Sequence, residues 1–139
     1  MGKKNQRKRF FNACLKWLYL LGLRRYELVT SLGDLKQDES SDWRDAATVE
    51  TKARYRSIKV TGDEEVIGAM DDVSLDETAC HEMVHAVLAP LEELTEEVIA
   101  QLPAGKRDPY YAWKQRELEE VTTHIETVVR DLHKSPKGK

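Results

Sequence analysis

His81-Glu82-Met83-Val84-His85 decides how this chain is read. On an α-helix, residues four apart stack on one face, so both imidazoles can reach one cation while Glu82 lies beside it. That is the arrangement a metal-dependent hydrolase requires.

The flanking residues predict the helix. Ser74 and Glu77 form a Ser-x-x-Glu capping box, Asp76 adds negative charge to the first turn, and Pro90 closes the segment, giving a helix over about residues 75–88. Thr78, Ala79, Cys80, Met83, Val84, Ala86, Val87 and Leu88 are uncharged. Two histidines and a glutamate on such a helix are costly to bury unless something satisfies them. Zinc does so, and a catalytic zinc takes three protein ligands and leaves one position for water. The competing reading keeps His81 and His85 as core histidines, and metal content distinguishes the two.

The third ligand is sought downstream. No His-x-x-Gly-x-x-His follows His85, which excludes the metzincin arrangement. A long helix opened by Asp108-Pro109 and running to about Leu132 carries Glu117, Glu119, Glu120 and Glu126. Its apolar side reads Leu118, Val121, Ile125, Val128, Val129 and Leu132. At 100° per residue Glu117 lies closest to that side, in line with Val121 and Ile125. Glu120 is the alternative, with His124 one turn beyond it, and Glu119 and Glu126 read as charges of a wet face. Oxyanion donors are sought among His124, Tyr110 and Tyr111.

Around the motif the pattern is mixed. Phe10, Phe11, Cys14, Leu15, Trp17, Leu18 and Leu21 recur at helical spacing. Residues 26–32 read as a strand, the acidic and Ser-rich residues 33–43 as an exposed loop, and residues 47–60 as a second strand region. Thr61-Gly62-Asp63 is a turn signal, and residues 64–72 suit a short helix or an irregular segment. Pro90 starts a helix through Leu91, Leu94, Val98, Ile99 and Leu102, which Pro103 and Gly105 end. The fold class is therefore α+β: an N-terminal helix, a short antiparallel sheet, and the motif helix packed against C-terminal helices.

Charge is uneven. The first 26 residues hold eight of the 22 Lys and Arg and none of the 25 acids, so the head is +8 and the remainder −11. Such a head suits nucleic acid, an anionic surface or the acidic body of its own chain. Its apolar run, residues 15–23, is interrupted by Lys16, followed by Arg24 and Arg25, and too short to span a bilayer. Cys14 and Cys80 form no spaced pair and read as free thiols, which points to a cytoplasmic protein.

Over roughly residues 47–132 the chain resembles the small single-domain zinc peptidases of the gluzincin kind, including minimal forms carried by phages and mobile elements. The resemblance lies in Tyr55-Arg56-Ser57-Ile58-Lys59-Val60, the His81 to His85 motif and Glu117-Leu118-Glu119-Glu120-Val121. It implies a zincin-like domain over residues 26–133, preceded by the basic helix of residues 1–25 and followed by a disordered basic tail, residues 134–139. It also implies Zn2+ on His81, His85 and Glu117 (or Glu120), Glu82 as general base, and a peptide substrate held along an edge strand. The alternative function is a non-catalytic metal-binding or regulatory module whose basic head contacts nucleic acid or a partner protein.

Overall fold

The computed structural model describes residues 2–35 and 46–134. In chain order it runs α1 (Lys3–Leu20), β1 (Glu27–Gly33), β2 (Ala47–Lys52), β3 (Ser57–Asp63), α2 (Glu64–Gly68), α3 (Asp72–Ala100) and α4 (Asp108–Leu132). The class is α+β. Most of the loop expected at residues 33–43, and the tail beyond Lys134, lie outside the described residues.

In α1, Phe10, Cys14, Trp17 and Leu18 recur along one face and are buried in the same core as Ile58, Val60, Ile67, Leu75, Ala79, Met83 and Val84. Gly22, at φ +77°, ends the helix: its N–H donates to Tyr19 O and that of Leu23 to Leu18 O, a Schellman turn that needs a residue with positive φ. Basic side chains of α1 meet acids of the body, Lys3 at Glu64, Arg9 at Asp72 and Lys16 at Asp76. No helix among the described residues is long and apolar enough to cross a membrane.

The sheet has the order β1-β3-β2. β1 runs parallel to β3, with Leu28 opposite Ile58, and β2 runs antiparallel to it, with Val49 opposite Val60. The sheet is thus mixed, where an antiparallel one was expected, because β2 and β3 form a hairpin while β1 docks on the far side of β3. The expected strand over residues 47–60 is split by a 3-10 turn, Ala53–Tyr55, and by Arg56 in the left-handed region at φ 52°. Thr61-Gly62-Asp63 is no turn but the end of β3. A Cβ on Gly62 would lie 2.9 Å from Ile67 Cγ1 and Leu32 Cδ2 and 3.0 Å from Phe10 Cε2, so glycine is needed there for close packing. Asp63 then caps α2, accepting from the N–H groups of Glu65 and Val66.

α3 is longer than its sequence signals suggest. Asp71, rather than Ser74, is the N-cap and accepts from the Ser74 N–H, so the helix starts a turn earlier than the capping box implied. Pro90 does not stop it; the expected second helix through Leu91 to Val98 is its continuation, exposed at Pro90 and held against α4 by Lys114, which pairs with Glu92 and Glu96. Packing along α4 outweighs the one backbone hydrogen bond that proline removes. Arg107 closes the far end, donating to the Leu102 and Ala100 carbonyls. α4 then returns antiparallel along α3 over the span expected.

Two outcomes test this packing. Gly62→Ala should destabilise the fold by about 1–3 kcal/mol through overpacking, read from chemical denaturation. Asp76 is the second probe: burial alone would raise its pKa, but hydrogen bonds from Lys16 and Trp17 outweigh it and the value is lowered. A carboxylate with a depressed folded-state pKa contributes stability above its unfolded value of ~3.9, and loses it as pH falls through the folded one. Asp76→Asn should therefore lower the melting temperature at neutral pH and flatten its decline below about pH 4; parallel acid limbs in both proteins would refute this.

Candidate metal centre

His81 and His85 lie midway along α3, one helical turn apart, with ring centroids 4.9 Å apart and planes at 77°. Both rings open into a cleft of about 810 Å³. α3 supplies one side of it through Glu77, Thr78, His81, Glu82, His85 and Ala89; β2 supplies another through Ala47, Thr48, Val49 and Thr51; α4 supplies the third through Gln115, Leu118, Glu119 and Glu126. β2 is the outer strand of the sheet, so the cleft runs beside an edge.

Across the cleft from the imidazoles stands Glu119. Its Oε1 lies 3.0 Å from His85 Nε2 and its Oε2 3.3 Å from His81 Nε2, and the three residues offer donor atoms all within 4.8 Å of one another. For zinc with bonds of about 2.0–2.2 Å, the edge of a ligand tetrahedron is about 3.3 Å. Each Nε2 lies near that separation from one of the two Glu119 oxygens, and two imidazoles and a carboxylate match such a cation in number and type of donor. Burial, against the opposing pull of Glu119, lowers the pKa of His85, which keeps its ring neutral and its lone pair available at pH 7.

The glutamates favoured from sequence stand elsewhere. Glu117 is exposed and pairs with the neighbouring Arg116, while Glu120 is exposed and pairs with His124 on the next turn. The reason is the rotation of α4. Its face toward α3 carries Leu118, Thr122, Ile125, Glu126 and Val129, whereas Val121, Val128 and Leu132, expected inside, are exposed. Thr122 is fully buried, with its hydroxyl donating to the Leu118 carbonyl, and Glu126 is buried with an oxygen 3.0 Å from His81 Nδ1. Glu119 and Glu126, both read as solvent-facing charges, are thus the two acids that meet His81. A signal was present: the two are seven residues apart, 20° short of two full turns, with Leu118, Ile125 and Val129 beside them.

Glu82 is buried and lines the cleft beside the two histidines. Its charge reaches Cys14, whose thiol is pushed up to about 12, chiefly by burial. Cys80 is likewise pushed up to about 12 by burial and by Glu126, so both cysteines are buried, protonated thiols and neither belongs to the His81, His85, Glu119 group. Of the oxyanion candidates, His124, Tyr110 and Tyr111 do not line the cleft; His124 is exposed, and Tyr110 lies against Trp113.

Comparison with protein-family models, with curated proteins and with solved structures finds no match.

The geometry separates the four glutamates experimentally. After expression with added zinc and gel filtration, the wild type should retain equimolar metal by elemental analysis. His85→Ala and Glu119→Ala should lose it, while Glu117→Ala and Glu120→Ala should keep it. Loss in Glu117→Ala with retention in Glu119→Ala would reverse the assignment.

Proposed function

We propose that the chain is a zinc-dependent peptidase of zincin-like design, with His81, His85 and Glu119 as the metal ligands and Glu82 as general base. The observation that carries this reading is the meeting of Glu119 with both Nε2 atoms inside a cleft that already contains Glu82. A zinc ion held there would supply Lewis acidity, polarising a water and a substrate carbonyl.

The chain's own residues do the rest. Glu82, on the same helical turn as the ligands, accepts the proton of the attacking water and returns it to the leaving amine. β2 offers its outer edge to an extended peptide, whose backbone would pair with the strand and lie across the mouth of the cleft. Thr48, Val49 and Thr51 line that edge, and their small side chains leave room for the peptide.

A regulatory module using the basic head is less well supported. Lys3, Arg9 and Lys16 already pair with Glu64, Asp72 and Asp76, and α1 buries its apolar face in the core.

The test uses zinc-loaded wild type and Glu82→Gln on a quenched fluorescent peptide library and on unfolded casein. Wild type should cleave and the variant should keep its zinc while losing at least ~100-fold in rate, the lower end expected of a general base. Equal cleavage by both proteins, or none by zinc-loaded wild type, would end the peptidase reading.

A further inference from the structure

His81 is gripped on both of its nitrogens. Nε2 faces Glu119, and Nδ1 lies 3.0 Å from Glu126 Oε1. The two carboxylates differ: the Glu126 side chain is 11% exposed and that of Glu119 46%. A neutral imidazole can offer Nε2 to a cation only when its proton sits on Nδ1, and a buried Nδ1–H needs an acceptor. Glu126 is that acceptor.

Glu126 is itself held in place. Its Oε2 lies 4.0 Å from Arg130 Nη1, one turn further along α4. Arg130 Nε is 3.4 Å from Asp76 Oδ2 on α3, and Asp76 Oδ1 accepts from Lys16 Nζ at 2.7 Å and from Trp17 Nε1 at 2.9 Å. Trp17 is 1% exposed, so the last donor is anchored in the core. A continuous polar chain therefore joins α1 to the first histidine of the motif through α3 and α4.

We propose that Glu126 is a positioning residue for His81, fixing its Nδ1–H tautomer and ring direction, and that α1 secures Glu126 through Trp17, Lys16, Asp76 and Arg130. The consequence for metal affinity rests on the zinc reading above, whereas the tautomer rests on the shorter contact of Nδ1 with the more buried of the two carboxylates. Glu126 touches neither cation nor substrate, and acts through His81 alone. The basic first helix is, on this account, part of the support of the site.

Two measurements test it. Long-range proton–nitrogen NMR of the metal-free protein at about pH 9, where ordinary imidazoles are neutral, reads the His81 tautomer. Competition with a chromophoric chelator reads zinc affinity. Wild type should carry the proton on Nδ1. In Glu126→Leu it should move to Nε2, where Glu119 accepts it, and zinc should bind ~10–100-fold more weakly. Glu126→Gln, whose amide carbonyl can still accept, should restore Nδ1–H and most of the affinity, and Arg130→Met should weaken zinc by a smaller factor than Glu126→Leu.

An unchanged tautomer or unchanged affinity in a folded Glu126→Leu would overturn the role of Glu126. If that variant does not fold, an Nε2–H tautomer in Glu126→Gln overturns it instead. Full affinity in Arg130→Met would overturn the support from α1. A protein whose tautomer responds as stated but which takes up no zinc would uphold the positioning and remove the proposed function, so the two failures are distinguishable.

Discussion

Everything about the cleft depends on polar side chains of α4 being turned inward against the two imidazoles of α3. Turning Glu119, Thr122 and Glu126 toward a helix interface forfeits the apolar contact that leucines would make there, and the two that are buried, Thr122 and Glu126, must find partners inside the protein. All three find partners: Glu119 and Glu126 meet histidine nitrogens, and Thr122 turns its hydroxyl back to its own helix. Replacing His81 would take from Glu126 its histidine partner, and replacing Glu119 would take from His85 its carboxylate. The pair of helices is therefore specified by matched polar groups as much as by apolar area.

Such an interface needs rigid surroundings, and the rest of the fold supplies them. α1 covers one side of α3 with Phe10, Cys14, Trp17 and Leu18, while β3 adds Ile58 and Val60 beneath the motif residues Met83 and Val84. Gly62 lets Phe10, Ile67 and Leu32 close on the sheet without a gap. The continuation of α3 past Pro90 gives α4 a full-length partner, and Lys114 ties the two together through Glu92 and Glu96 beyond the cleft. With both ends of the hairpin secured, the angular setting of α4 is fixed, and with it which glutamates face the histidines.

That angular setting is what the residues alone could not reveal. The motif helix, the N-terminal helix and the span of α4 were legible because each carries strong local signals, an apolar period or an N-terminal proline. Which glutamate of α4 faces the histidines was not, because the reading of Glu117 assumed that the inward face of α4 is its most apolar one. Val121 and Val128 satisfied that assumption and are exposed. Where an interface is polar by design, hydrophobic periodicity points to the wrong side of the helix, here by enough to exchange Glu119 for its neighbours. The end of β3 was missed for a different reason: Gly62 reads as a turn when isolated, and only the three side chains crowding it explain a glycine inside a strand. Pro90 is similar, since its cost is local while its compensation comes from α4.

The distribution of charge across the cleft follows from the same packing. Glu77, Glu82, Glu92, Glu93, Glu96, Glu119 and Glu126 all line it, and among the described residues no lysine or arginine does. Behind that lining, Lys114 draws on Glu92 and Glu96, and Arg130 draws on Glu77 and approaches Glu126. These basic groups therefore meet the acids at the two ends of the cleft from outside its lining. A neutral ring such as His85, kept so by burial, adds donor capacity to the cleft without adding positive charge. The gathering of the acids at the cleft and the outward placement of Lys114 and Arg130 both result from how α4 is turned against α3.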